Sequence, residues 1–265
     1  LMVWLKWVQH EYLNRVSIGV KDKFLQLLDV QKYKNKGSKA LIEISGLSKS
    51  VKVPYGTHWR AGNMVFRNPK IQNLVTSQIL SVEFNNPENN SDEEYYKFDG
   101  RRIFQLFGNG FRKVDEGRTR EFTIKFSDAL PSRQNVNIYF NMYLGENLKR
   151  NPISEEDSFE EMAEVKWEYY GVEKGKEGWH DLKIVEDQTH RFLFSGIIVF
   201  NIPGQMTAYD GIYALRVNLL KQEYDFSPAI TDIKMNVFEV VQGNIKCENP
   251  VFRKKDVEES SVKVE

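Results

Sequence analysis

Cysteine is almost absent from this sequence. Cys247 is the only one in 265 residues, so no disulfide can close within the chain, and a single thiol fits a reducing compartment. Histidine is scarce as well: His10, His58, His180 and His190 are scattered, and none stands in a metal-ligand spacing such as His-x-x-x-His. They read as structural or exposed residues, and no metal site is expected. Net charge is missing, because 37 Lys+Arg offset 37 Asp+Glu. That balance removes the usual electrostatic pull toward nucleic acid or an anionic membrane. No apolar run approaches the ~18–20 residues that a membrane-spanning helix needs. The longest, Phe192 to Pro203, is broken by Ser195, Gly196 and Asn201. The N-terminus does not read as a signal peptide, since Lys6, His10 and Glu11 interrupt its apolar stretch. Because it opens at Leu1 in what reads as mid-helix, the chain is expected to be a portion of a longer protein.

Catalytic constellations are missing too. Gly108-Asn109-Gly110 lacks the Lys-Ser/Thr end and the helix that a phosphate-cradling loop requires, and reads as a plain turn. Cys247, in Ile245-Lys246-Cys247-Glu248, has no neighbouring base to lower its pKa. The acids Glu155-Glu156-Asp157 and Glu160-Glu161 fall on a polar stretch, where charge runs are solvated; a glycosidase needs two carboxylates held at a defined separation across a cleft. The chain is expected to have no catalytic residues, no metal and no cofactor, and not to be an enzyme.

What is present is a globular composition, 41% hydrophobic and 13% aromatic, in a chain long enough to bury a core unaided. Leu1, Trp4, Leu5, Val8 and Tyr12 follow the spacing of a helix with one apolar face. Asp22 is placed to cap a second short helix that would bury Phe24, Leu27 and Leu28. From Ala40 the period changes to that of strands: Leu41 to Ile44, Val51 to Val53, Phe122 to Phe126, and, most clearly, Val136 to Leu144. Val165 to Tyr170, Phe192 to Phe200, Tyr213 to Leu219 and Ile233 to Val240 continue the series. Pro54-Tyr55-Gly56-Thr57 has strong turn chemistry, and Asn85 to Glu94 reads as an exposed loop, as does Asn151 to Ala163. Many strands in series, separated by Gly, Pro and Asp, point to an antiparallel sandwich. The expected fold class is α+β, mostly β: a short N-terminal helical segment followed by antiparallel β regions, the C-terminal one a jelly-roll-like β-sandwich. The expected divisions are a helical segment at 1–36, a small β-rich region at 37–118, the sandwich at 119–245, and a charged tail or linker at 246–265.

Among the aromatics, Trp167 alternates within a strand and reads as core. Trp59, Tyr170 and Trp179 lie near turns or strand ends and are the candidate surface aromatics, suited to stacking on a sugar or a partner's side chains.

From Trp167 the order of short motifs is specific as a series. Trp167-Glu168-Tyr169-Tyr170 is followed by Gly178-Trp179-His180-Asp181-Leu182, then by Val185 to Phe192 with its Asp187-x-Thr189. Ser195-Gly196 to Pro203, Leu215-Arg216-Val217 and Pro228-x-Ile230-x-x-Ile233 leading to Asn236 complete it. Earlier, Asn14-Arg15, Phe24 to Leu28, Val53 to Thr57, Val65-Phe66-Arg67 and Asp128-Ala129-Leu130-Pro131 fall in matching order. Taken together, the chain resembles the baseplate assembly proteins of contractile phage tails and related extracellular injection systems, over most of residues 1–242. The resemblance implies a scaffold subunit without catalysis, oligomeric within an assembled particle. Its partners would be other baseplate, tube, sheath or spike subunits, with no nucleic acid and no membrane insertion. Such a subunit is cytoplasmic before assembly and then part of a phage-tail-like particle. Trp4, Leu5, Val8 and Tyr12 are the candidate partner interface. A carbohydrate-binding sandwich module is the alternative, and would show a coplanar row of aromatics; a hydrolase is the third reading.

Overall fold

The computed structural model describes residues 3–6, 37–86, 91–95, 102–107, 120–143, 145, 163–222, 224 and 227–242. The chain divides into two compact units, Leu1–Ser38 and Lys39–Glu265. In the first, residues 3–6 are helical; the expected helix at Phe24 to Leu28 lies outside the described residues, as does the tail at 246–265.

Among the described residues of the second unit every element is a strand. They are β1 (Lys39–Glu43), β2 (Val51–Val53), β3 (His58–Ala61), β4 (Met64–Arg67), β5 (Gln72–Leu74), β6 (Ile79–Asn86), β7 (Ser91–Tyr95), β8 (Phe104–Gln105) and β9 (Arg120–Phe126). There follow β10 (Asn135–Met142), β11 (Ala163–Glu173), β12 (Lys176–Asp181), β13 (Lys183–Asp187), β14 (Gly196–Asn201), β15 (Gln205–Met206), β16 (Tyr213–Gln222), β17 (Ala229–Met235) and β18 (Val237–Gln242).

Two of the sheets form the sandwich. One runs β13-β14-β10-β17-β8; the other runs β12-β11-β16-β9-β6-β7, with β15 added beside β11. Followed along the chain, β8, β9, β10 and β11 alternate between the sheets. After β12 and β13 the chain returns through β14, β16 and β17, each inserted beside the partner laid down earlier. This is the wrapping of a jelly roll, two Greek keys closed on one core, and among the described residues all its strands pair antiparallel.

The core follows from strand periodicity. Phe122, Ile124 and Phe126 of β9 are buried on alternate positions, as are Ile138 and Phe140 of β10. Their rings meet across the sandwich: Phe122 lies 6.4 Å from Phe140, Phe140 6.1 Å from Trp167, and Trp167 6.5 Å from Phe200, centroid to centroid. The edge-to-face and stacked arrangements are those that aromatic quadrupoles favour.

A four-stranded sheet, β1-β18-β4-β3, and a two-stranded ribbon, β2-β5, carry a second core of Val53, Phe66, Leu74, Phe238 and Val240. Here the sheets depart from the divisions expected at 118 and 245. β6 and β8, from the earlier segment, pair inside the sandwich, while β18 leaves it to pair with β1 and β4. Strand pairing is set by apolar faces meeting in space, so a linear division does not capture it.

Three further expectations are corrected. Asn85 to Glu94 is not a plain loop: Asn85 pairs with Asp92 and Asn86 with Ser91 in a β6-β7 hairpin, whose polar composition had hidden it. Ile233 to Val240 is not one strand, because Asn236 adopts φ 54° and turns the chain from β17 into β18. Phe192 to Phe200 is not one strand either. His190, Arg191 and Phe192 all adopt left-handed φ (50°, 59° and 63°), and β14 starts only at Gly196. A run of left-handed residues is costly for L-amino acids, and side chains hold it. Asp187 Oδ1 accepts from the Thr189 N–H (2.8 Å) and hydroxyl (2.6 Å), and Asp187 Oδ2 accepts from the Arg191 N–H (3.1 Å). The burial of Phe192 and Leu193 offsets that strain. Gly196 is required beside it, since a Cβ there would sit 2.7 Å from the Gln188 carbonyl.

Candidate functional site

The outer face of the larger sheet is built by the same period of two that fills the core. Burying Trp167 and Tyr169 on β11 turns Lys166, Glu168 and Tyr170 outward. Register then sets their neighbours: Tyr170 stands opposite Trp179 of β12, and Glu168 lies between Asp181 of β12 and Arg216 of β16.

Two short turns place the aromatics. Lys174-Gly175, linking β11 to β12, and Asp210-Gly211, between Tyr209 and Ile212, each have positive φ at both central residues (51° and 75°; 48° and 82°). That is the backbone of a two-residue type I′ turn, which Asx-Gly and Xaa-Gly pairs favour. Tyr209 and Ile212 exchange backbone hydrogen bonds at 2.8 and 3.0 Å across the second turn. Tyr209 is thereby set 5.0 Å from Tyr170 and 5.5 Å from Trp179, and Tyr170 and Trp179 are 5.5 Å apart. Arg216 completes the group, its Cζ 4.3 Å from the Trp179 ring centroid in a cation–π contact.

A charged network runs from this ridge across the sheet. Glu168 Oε2 accepts from Arg216 Nε (3.0 Å), Arg216 Nη2 (2.7 Å) and Asn218 Nδ2 (2.8 Å), and its Oε1 pairs with Lys166 Nζ at 2.9 Å. Lys166 also reaches Asp181 at 2.9 Å. Burial pushes the Glu168 carboxyl up, but the hydrogen bonds and charges of Lys166 and Arg216 outweigh it and hold it below the usual glutamate range. Arg216 is therefore fixed at both ends, by Glu168 and by the Trp179 face.

Behind this face the backbones approach closely. A Cβ on Gly204 would lie 2.4 Å from the Tyr169 hydroxyl oxygen, and one on Gly171 would lie 2.3 Å from the Gln205 carbonyl oxygen. Glycine at both positions lets β15 close over β11 under the ridge.

Of the sequence candidates, the structure brings Tyr170 and Trp179 together and leaves Trp59 elsewhere. Trp59 is on β3, partly buried, with its ring 5.5 Å from Phe238 in the second core. Trp4 and Leu5 are helical and exposed; Val8 and Tyr12 lie outside the described residues. Tyr209, Arg216 and Glu168 were not singled out from the sequence. Their signals were there: an Asp-Gly turn beside a tyrosine, and charged residues at the outward positions of Trp-Glu-Tyr and Leu-Arg-Val.

Among the described residues no group of three or more His, Cys, Asp or Glu is arranged to hold a metal ion, and no helix is long and apolar enough to cross a membrane. Comparison with protein-family models and with curated proteins found no match.

Proposed function

We propose that this chain is a scaffold subunit of the baseplate of a contractile, phage-tail-like particle, acting through protein–protein contacts without catalysis. The observation that carries the reading is the ridge of Tyr170, Trp179 and Tyr209 with Arg216 on an otherwise regular sheet face. Tyr, Trp and Arg are the residues that most often anchor protein interfaces. Here they are held rigid by two tight turns and an ion pair, so little conformational entropy is lost on docking.

The ordered motifs support the same reading, because their members build this frame. Trp167 and Tyr169 fill the core, Asp187 and Thr189 hold the left-handed turn, and the Ser195 hydroxyl accepts from the Met142 N–H at 2.9 Å. Asn236 exchanges hydrogen bonds with the peptide of Val75, at 2.9 and 2.8 Å. Val53 to Thr57 forms a turn in which the Pro54 carbonyl accepts from the Thr57 hydroxyl (2.8 Å) and from Asn68 Nδ2 (2.7 Å). The partners are other baseplate, tube, sheath or spike subunits. The protein is cytoplasmic before assembly and part of the particle afterwards.

The ridge bears on the sugar-binding alternative as well. A glycan platform presents open, nearly coplanar ring faces, whereas these rings are inclined to one another by 55–75° and Arg216 occupies one face of Trp179. Tilted, mutually packed rings suit a protein partner's side chains better than a pyranose ring.

The test is affinity capture of the tagged full-length protein from its native cells, with mass spectrometry and negative-stain imaging. Sheath, tube and spike proteins in the eluate, with rods or plates on the grid, are expected. A monomer recovered without such companions would overturn the proposal.

A further inference from the structure

On another part of the molecule, residues 50–52, 71, 73, 74 and 133–135 line an open groove of ≈ 680 Å³. Its charged lining is Lys52 and Arg133, with no carboxylate. Both cations are exposed, and neither has an ion pair or side-chain hydrogen bond among the described residues. The contrast with the adjoining groove is direct: there Lys70 is already held by Glu186.

The remaining lining is suited to backbone recognition. Asn73 donates to the Asn135 carbonyl at 3.2 Å, and Asn135 Oδ1 accepts from Asn201 at 3.1 Å. This leaves the Asn73 amide oxygen and the Asn135 amide N–H unpartnered among the described residues, and Gln134 lies beside them. Paired amide donors and acceptors match a peptide group. Lys52 and Asn73 are cross-strand partners on the β2-β5 ribbon, so their side chains share one face of it. Ile71, 55% exposed, offers an apolar contact. Arg133 is set from a fixed backbone: its φ is 57°, its N–H donates to the Ile202 carbonyl at 2.8 Å, and Ser132 bridges to Ile202.

We infer that this groove binds an acidic, extended segment of a partner protein, which lies over the β2-β5 ribbon while its peptide groups meet the Asn73 and Asn135 amides and its carboxylates meet Lys52 and Arg133. The side-chain amides supply main-chain affinity, and charge-assisted hydrogen bonds supply the selectivity for acid. The inference goes beyond the baseplate reading and concerns a surface separate from the aromatic ridge.

The test uses the full chain and a fluorescein-labelled heptapeptide alternating glutamate with threonine and valine, against the same peptide with lysine for glutamate. Fluorescence anisotropy is expected to show binding of the glutamate peptide alone, weakened by added salt. The double variant Lys52→Glu/Arg133→Glu is expected to lose about tenfold or more in affinity. Lys52→Gln/Arg133→Gln serves as the milder pair, with circular dichroism confirming the fold of each. Equal binding of both peptides, no binding of either, or an unchanged affinity in the folded variants would overturn it. If native capture recovers no particle proteins yet the glutamate peptide binds as described, the baseplate reading fails and the groove stands. Particle proteins recovered with a peptide-blind groove give the reverse.

Discussion

Between the two sheets of the jelly roll, Phe122, Phe140, Trp167, Phe192 and Phe200 make one continuous aromatic layer, each ring within 6.5 Å of at least one other. The four-stranded sheet and the β2-β5 ribbon share a modest core of their own and are fastened to the sandwich in another way. Asn137 donates to Gln72 at 2.7 Å, Asn73 reaches the backbone of Asn135, and Asn236 exchanges two hydrogen bonds with Val75. One region is held by the area removed from water and the fit of rings. The other is held by amides, those of Gln72, Asn137 and Asn236 buried, whose worth lies mainly in what is left unsatisfied when one is removed. The two regions therefore differ in how they fail: the first by cavities, the second by orphaned peptide groups.

The largest expected effect breaks the first region. Phe122→Ala removes a fully buried ring that contacts Phe84, Phe107, Phe140, Trp167 and Phe192. A loss of about 3–5 kcal/mol is expected from urea denaturation. Asn236→Ala comes next and tests the second region. It leaves the Val75 N–H and C=O without their partners and puts alanine, which tolerates the left-handed region less well than asparagine, at φ 54°, for an expected loss of about 2–4 kcal/mol. Asn236→Gly sharpens the comparison, because it relieves the backbone yet restores neither hydrogen bond. A stability close to that of the alanine variant is expected, and recovery to that of the parent would show that strain, not the amide, is the fastening.

The outer face of the larger sheet adds a third kind of contact, read by pH. The Glu168 carboxyl is held below its unfolded value, so its contribution is complete above about pH 4.3 and is lost as pH falls through the lower folded value. Glu168→Gln is expected to lower stability at neutral pH and to flatten the acid limb, with wild type and variant converging as pH drops. Parallel denaturation midpoints from pH 7 to the acid limb would contradict this. The smallest stability effect belongs to Trp179→Ala, which opens only a half-buried contact with Tyr170, Tyr209 and Arg216 and should cost about 1 kcal/mol.

Much of the sandwich was legible in the sequence because its strands alternate cleanly: β9, β10, β11 and β16 fall where apolar residues recur every second position. Legibility failed where side chains override period. The left-handed turn at His190–Phe192 carries apolar residues that read as strand until the hydrogen bonds of Asp187 are seen. The hairpin at β6-β7 is polar and reads as loop. Asn236 looks like an ordinary strand residue until its bonds to Val75 are known. At the candidate site Tyr170 and Trp179 were recognisable as aromatics on either side of a glycine-containing stretch. Their union with Tyr209 and Arg216 depends on the register of three strands, which no local pattern encodes. The groove at Lys52 and Arg133 joins segments 81 residues apart and was equally invisible.

The measurement that bears most directly on the ridge as a docking surface is native capture of the full-length protein beside its Trp179→Ala/Tyr209→Ala variant, with equal recovery of bait. The account predicts a folded variant, its thermal midpoint lowered by only a few degrees, that no longer brings down the companions the proposed baseplate role requires. A variant that recovers the same companions in the same proportions would contradict it.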